Sequence, residues 1–256
     1  MASTSDTSVP RYAGAAFVAQ FCTSLAAGLL VLPVLSGNIG EVIANASADA
    51  SRLRLAVVLD LLTAVGILFL TSLLYVSLRD TVRWVATVAF ALWLAEATVL
   101  AMRMIGLDAL LDLGGTHTDP TSAVSAADAA VGTFALGLHE HGGDIQMLLF
   151  GVGALLWYSL FVRTRFVPRW LGIWGLAAVV LALVATLLNV WDRGLEPSVI
   201  LYAAYVPFEF VVGMWLLVKG SPIRPAASSP TSSAPPPVER STADVVDVRA
   251  DETTRA

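Results

Sequence analysis

The stretch Leu138 to Phe150 reads LHEHGGDIQMLLF and sets His139, Glu140, His141 and Asp144 against a long apolar run. Imidazole changes charge near physiological pH, which suits a proton shuttle, a general base or a metal ligand. On an unbroken helix, residues two apart point about 200° away from each other, so His139 and His141 could not share a ligand. His141 and Asp144, three apart, would share a face, as would Glu140 and Asp144. A break at Gly142-Gly143 would free the backbone to turn both imidazoles the same way. The plainer reading is that histidines at a membrane boundary anchor the helix and touch water or headgroups. It outweighs metal ligation, and no metal site is assigned. His117 reads as a solvated loop residue.

Three further carboxylates stand inside apolar runs: Asp60, Glu96 and Glu209. A charge near the bilayer centre costs about 2.5 to 3.5 kcal/mol on insertion scales, so such side chains turn inward or serve a function. With the orientation argued below, Asp60 lies about 12 Å inside the outer boundary and Glu96 about 10 Å inside it. Glu209 falls near the midplane by the same reckoning. Arg103, Asp144 and Asn189 also fall toward the outer end and form a second tier of candidates. Glu96 and Arg103, seven apart, share a helix face and are expected to pair. The candidate intramembrane site is therefore Asp60, Glu96, His139, His141 and Glu209. For Asp60 and Glu209, bonding between helices is as good an account as function.

Long apolar helices must position these residues. Of 256 residues, 57% are hydrophobic and 14% charged, far from the balance of a soluble domain. Mean hydropathy is +0.75. Six segments reach the ~20 apolar residues that cross a bilayer: Tyr12–Leu35, Leu53–Leu78, Trp84–Ile105, Ile145–Val162, Trp170–Val190 and Val199–Val218. Backbone groups in lipid must be bonded internally, and the apolar residues run on without alternating, so the spans are helices. The predicted fold is all-α: a polytopic six-helix transmembrane bundle over residues 11–220.

The third loop, Gly106 to Gly143, is long for a connection between packed helices. Asp119-Pro120 resembles an N-cap with proline behind it. Val124, Ala127, Val131, Phe134 and Leu138 follow at helical spacing, predicting an amphipathic outer helix or an outward extension of span four. One straight helix from Thr121 to Val162 would be about 60 Å long, twice the membrane core, so a bend near Gly142-Gly143 is expected.

Arg11, Arg79, Arg83, Arg163, Arg165, Arg169, Lys219 and Arg224 fall on the side of the termini. They outnumber Arg52, Arg54, Arg103 and Arg193 opposite. The bias places both termini in the cytoplasm of a multi-pass plasma-membrane protein. Arginine in place of all but one lysine points to a GC-rich bacterial coding bias. Residues 1–10 are polar and 221–256 are rich in Pro, Ser and Ala, so both ends are expected to be disordered. The lone Cys22 excludes an intrachain disulfide and reads as a small apolar residue. Net charge is −5 and no basic cluster calls for nucleic acid.

Several runs together resemble a known family: RYAGAAF from Arg11, RLRLAVVLDLLTAVGILFLTSLLYVSLRD from Arg52, and LAEATVLA from Leu94. LHEHGGDIQMLLFG leads on to RTRFVPRWLGIWGLAA, and FEFVVGMWLLVKG closes the series at Gly220. In order and spacing they are similar to the bacterial membrane family of domain of unknown function 4386, over about Arg11 to Gly220. The resemblance implies an integral membrane protein of about six helices, with no activity, cofactor or substrate attached.

Three functions compete. The first is an outward-facing site that binds or converts a small lipophilic molecule, carboxylates and imidazole dividing acid and base roles. The second is a proton- or cation-coupled transporter relaying through Asp60, Glu96 and Glu209, which would need a homodimer. The third is a structural or regulatory protein without a site. Membrane lipids are partners in every case. No cofactor is assigned, since there is no CxxCH haem attachment site, nucleotide loop, nucleophile elbow or zincin helix.

Overall fold

The computed structural model describes residues 8–116, 124–192 and 201–221. The described residues form seven helices: α1 Val9–Val31, α2 Ile39–Ala48, α3 Ala50–Leu78, α4 Arg83–Thr116, α5 Ala126–Thr164, α6 Arg169–Trp191 and α7 Tyr205–Lys219. There is no strand among them. Five of the helices, α1, α3, α4, α5 and α6, are long and apolar enough to cross a membrane.

The sixth expected span differs. Its described helix, α7, has 15 residues, short of the ~20 that cross a bilayer. Pro207 explains where it begins. Proline lacks the N–H and clashes with the carbonyl four residues back, so it is tolerated in the first turn of a helix and not in its interior. Residues 193–200 lie outside the described set, as do His117, the Asp119-Pro120 cap and, of the tails 1–10 and 221–256 expected to be disordered, residues 1–7 and 222–256; Val9 and Pro10 already belong to α1.

Packing follows the rule for helices in lipid, where small residues face one another and large apolar ones face out. Ala13, Ala56, Ala89, Ala97, Ala154, Ala178 and Ala182 are buried, while Leu29, Leu32, Val65, Phe69 and Trp84 are exposed. α1 and α7 make their closest approach at Gly14 and Gly213, where an added Cβ on Gly14 would run into the α7 backbone. Large side chains fill the interior: Phe17, Trp157, Tyr158, Phe161 and Phe208 are all fully buried.

The region between spans three and four is built differently from expectation. α4 does not stop at Ile105 but continues to Thr116, and α5 starts at Ala126 with Ser125 as its cap, Ser125 Oγ accepting from the Asp128 N–H at 3.1 Å. The amphipathic stretch is thus the outward extension of span four and not a separate helix. α2, in the first connection, was not anticipated, although its signal is written in the chain. Asn38 accepts from the Glu41 N–H at 3.1 Å, and the Glu41 carboxylate accepts from the Asn38 N–H at 2.8 Å, a capping box. α2 lies on the extended ends of α4 and α5. Gly114 on α4 leaves room for the Ser47 backbone, and Gly132 on α5 for the Ile43 and Ile39 side chains. The three pieces form a helical cap over one end of the bundle.

The helix is not interrupted at Gly142-Gly143. α5 runs unbroken for 39 residues, about 58 Å of helix. The two glycines serve contact instead of flexure: a Cβ on Gly142 would lie 2.8 Å from Arg103 Cβ, and one on Gly143 would lie 2.7 Å from Arg103 Nη1. They let α4 and its arginine come close.

Candidate functional site

Because α5 is continuous, its polar residues fan out around the helix as ideal geometry demands. His139 is buried, at 6% exposure, facing α4. Glu140 and His141 are exposed. The two histidines therefore do not act on one ligand, and His141 leaves the candidate set. Asp144 turns toward α6, where its carboxylate accepts from Asn189 Nδ2 at 2.8 Å. That pair ties two spans together.

Arg103 organises the remainder. Its Nη2 contacts His139 Nε2 at 3.2 Å and its Nη1 donates to Gln146 Oε1 at 3.1 Å. Guanidinium nitrogens only donate, so His139 Nε2 is the acceptor and its proton sits on Nδ1. Gln146 in turn donates from Nε2 to Glu96 Oε1 at 3.5 Å. The expected Glu96–Arg103 pairing is thus a bridge: Gln146, on the facing helix, stands between the two. Asp60, buried on α3, and Asp144 both act electrostatically on Arg103. One guanidinium thereby collects groups from α3, α4 and α5.

A second network belongs to α1 and α7. Gln20 Nε2 donates to Glu209 Oε1 at 3.0 Å. Tyr205, one turn before Glu209, acts on the same carboxylate, and its hydroxyl lies 3.0 Å from that of Tyr158 on α5. Glu96 and Glu209 are close enough to influence each other electrostatically.

The two networks meet at a cavity of about 660 Å³. Its polar lining includes Gln20, Glu96, Arg103, Gln146, Tyr205 and Glu209 together with the hydroxyls of Ser24, Thr63 and Tyr202, and its apolar lining includes Phe21, Leu25, Ile67, Trp93, Met147 and Phe150. This size and mixture match small-molecule sites, which are mostly apolar with a few converging polar groups. Of the residues singled out from sequence, Glu96, Glu209 and Arg103 line the cavity. Asp60 and His139 reach it only through Arg103, and the Asp144–Asn189 pair stands to one side.

Several lining groups escaped the sequence reading. Gln20 and Gln146 are neutral amides, which stand out far less in an apolar run than a charge does. Tyr202, Tyr205 and Glu209 did carry a signal: their three- and four-residue spacing puts them on one face of a helix. Among the described residues, no group of three His, Cys, Asp or Glu is arranged to hold a metal ion.

No curated protein and no solved structure matches the chain. A family profile does, across residues 12–220. That interval takes in the bundle, the cap and every group of both networks, so the chain belongs to the family described as domain of unknown function 4386.

Proposed function

We propose that the protein binds a small lipophilic molecule in an intramembrane site reached from the extracytoplasmic half of the bundle. The observation that carries this reading is the cavity itself, where carboxylates from α4 and α7, Arg103 and two amides converge on an otherwise apolar hollow. A purely structural set of polar residues would be expected to bond with one another and leave no space. Here two acceptors on the wall, Gln20 Oε1 and Glu96 Oε2, are buried with no hydrogen-bond partner, which is costly in a low-dielectric interior.

Passage across the membrane is less well supported. Trp157, Tyr158, Phe161 and Phe208 are fully buried beside the cavity, and a continuous polar path through the bundle would have to pass this aromatic packing. The arginine distribution supports a plasma-membrane orientation with the cap outside and both termini in the cytoplasm.

Extraction of the purified protein into organic solvent, followed by mass spectrometry, tests the proposal. Wild-type protein is expected to release a small lipophilic compound in near-stoichiometric amount, and the Glu209→Gln variant much less. Wild-type preparations that carry nothing beyond bulk membrane lipid, from several growth conditions, would sink it.

A further inference from the structure

Resting on the binding reading above, the wall chemistry of the cavity narrows the class of ligand. Carboxylates and amides, Glu96, Glu209, Gln20 and Gln146, share it with the hydroxyls of Ser24, Thr63, Tyr202 and Tyr205. Glu96 is 3% and Gln20 6% exposed, yet Glu96 Oε2 and Gln20 Oε1 have no partner among the described residues. Glu209 adds a second carboxylate on the opposite wall. The one cation of the lining, Arg103, spends Nη2 on His139 and Nη1 on Gln146 and feels the charges of Asp60 and Asp144, while its Nε is buried with no hydrogen-bond partner among the described residues. Buried carboxylates in excess of cations call for a compensating proton or positive charge. Trp93, Phe150 and Tyr205 are aromatic members of the same lining, a residue type that attracts cations.

The cavity also has a side toward lipid. α1 and α7 are pressed together at Gly14 and Gly213. Farther along, Phe21, Ser24, Leu25 and Gly28 of α1 and Val206 of α7 line the cavity. Ser24, Leu25, Gly28 and Val206 are at the same time exposed on the outside of the bundle. A Cβ on Gly28 would meet nothing within 4 Å. Residues that both line a hollow and face the bilayer mark a lateral mouth.

We propose that the site takes an amphipathic amine from the bilayer, its ammonium among Glu96, Gln20 and Glu209 and its chain leaving along Phe21, Leu25 and Gly28. The charged head gains charge-assisted hydrogen bonds that a hydroxyl cannot match, and a carboxylate head meets repulsion.

The test uses full-length protein in phosphatidylcholine nanodiscs and three probes of equal chain length: decylamine, decanol and decanoate. Saturable shifts in thermal unfolding are measured against mole fraction in the lipid. Decylamine is expected to bind about tenfold more tightly than either other probe. Glu96→Gln should erase that preference, and Gly28→Phe should weaken decylamine binding. Decanol or decanoate binding as tightly as decylamine in wild type overturns the amine assignment while leaving a lipophilic site in place. Saturation by none of the three overturns the site as well. A retained amine preference with full-strength binding in Gly28→Phe overturns the lateral entrance. The comparison among probes in wild type decides the ligand class even where Glu96→Gln does not fold.

Discussion

Arg103 holds more partners than any other side chain around the cavity, and its replacement tests how far the networks depend on it. Arg103→Met keeps an apolar stem of similar length but removes the donors to His139 and Gln146. Hydrogen bonds between membrane helices are worth about 0.6 kcal/mol on average and up to about 1.7. Losing two of them should cost about 1–3 kcal/mol, read as a lower unfolding midpoint by helix circular dichroism in mild detergent. Arg52→Met, which removes only an exposed contact to Asp49 at 3.4 Å, should change little. Equal effects of the two substitutions would show that Arg103 organises nothing. At this scale the sequence was informative where charge was involved. Asp60, Glu96 and Glu209 stand out because ionisable groups are rare in apolar runs. Gln20 and Gln146 do not, because an amide is cheap enough to occur there for many reasons. His141 was misjudged by association with His139, and only helix continuity separates them.

Helix ends and helix contacts were legible to different degrees. The long apolar runs named the spanning helices, and Asn38-Glu41 would have named α2 had the capping pattern been read there. The role of Gly142-Gly143 could not be read, because a glycine that bends a helix and a glycine that admits a neighbour look alike until the neighbour is known. Here the neighbour is Arg103. Substitution separates the two roles. Gly142→Leu should destabilise by about 1–3 kcal/mol through overpacking. Gly137→Ala, on the same helix with nothing within 4 Å of the added methyl, should stabilise by about 0.5–1 kcal/mol. A hinge at Gly142 would instead tolerate leucine in thermal unfolding while altering ligand release. The α2 dock allows a parallel experiment. Gly114→Leu collides with the Ala46–Ser47 backbone, so protease cleavage within residues 33–49 should accelerate in the variant while the spanning helices stay protected.

For the whole molecule, the division into cap, cavity and aromatic packing makes sidedness testable. Cys22 is the only cysteine, so a Cys22→Ala background carries no competing thiol. In that background Ser47→Cys on α2 should react with a membrane-impermeant maleimide in intact cells, and Ser221→Cys only after lysis. The reverse pattern would invert the orientation drawn from the arginines. Fold class was written throughout the chain because lipid imposes one backbone solution on every apolar run. The cap was not, because it is held by particular contacts, Gly114 under Ser47 and Gly132 under Ile43, which no periodicity announces.

The undivided α5 carries a mechanical corollary. Gly132 beneath α2, His139 against Arg103, and Gln146 and Phe150 at the cavity all ride on a single rod. A rod without a joint cannot absorb a tilt partway along its length. Any torque delivered to the arm beneath α2 must therefore reappear at the cavity wall, and any molecule wedged beside Phe150 must lean on that arm.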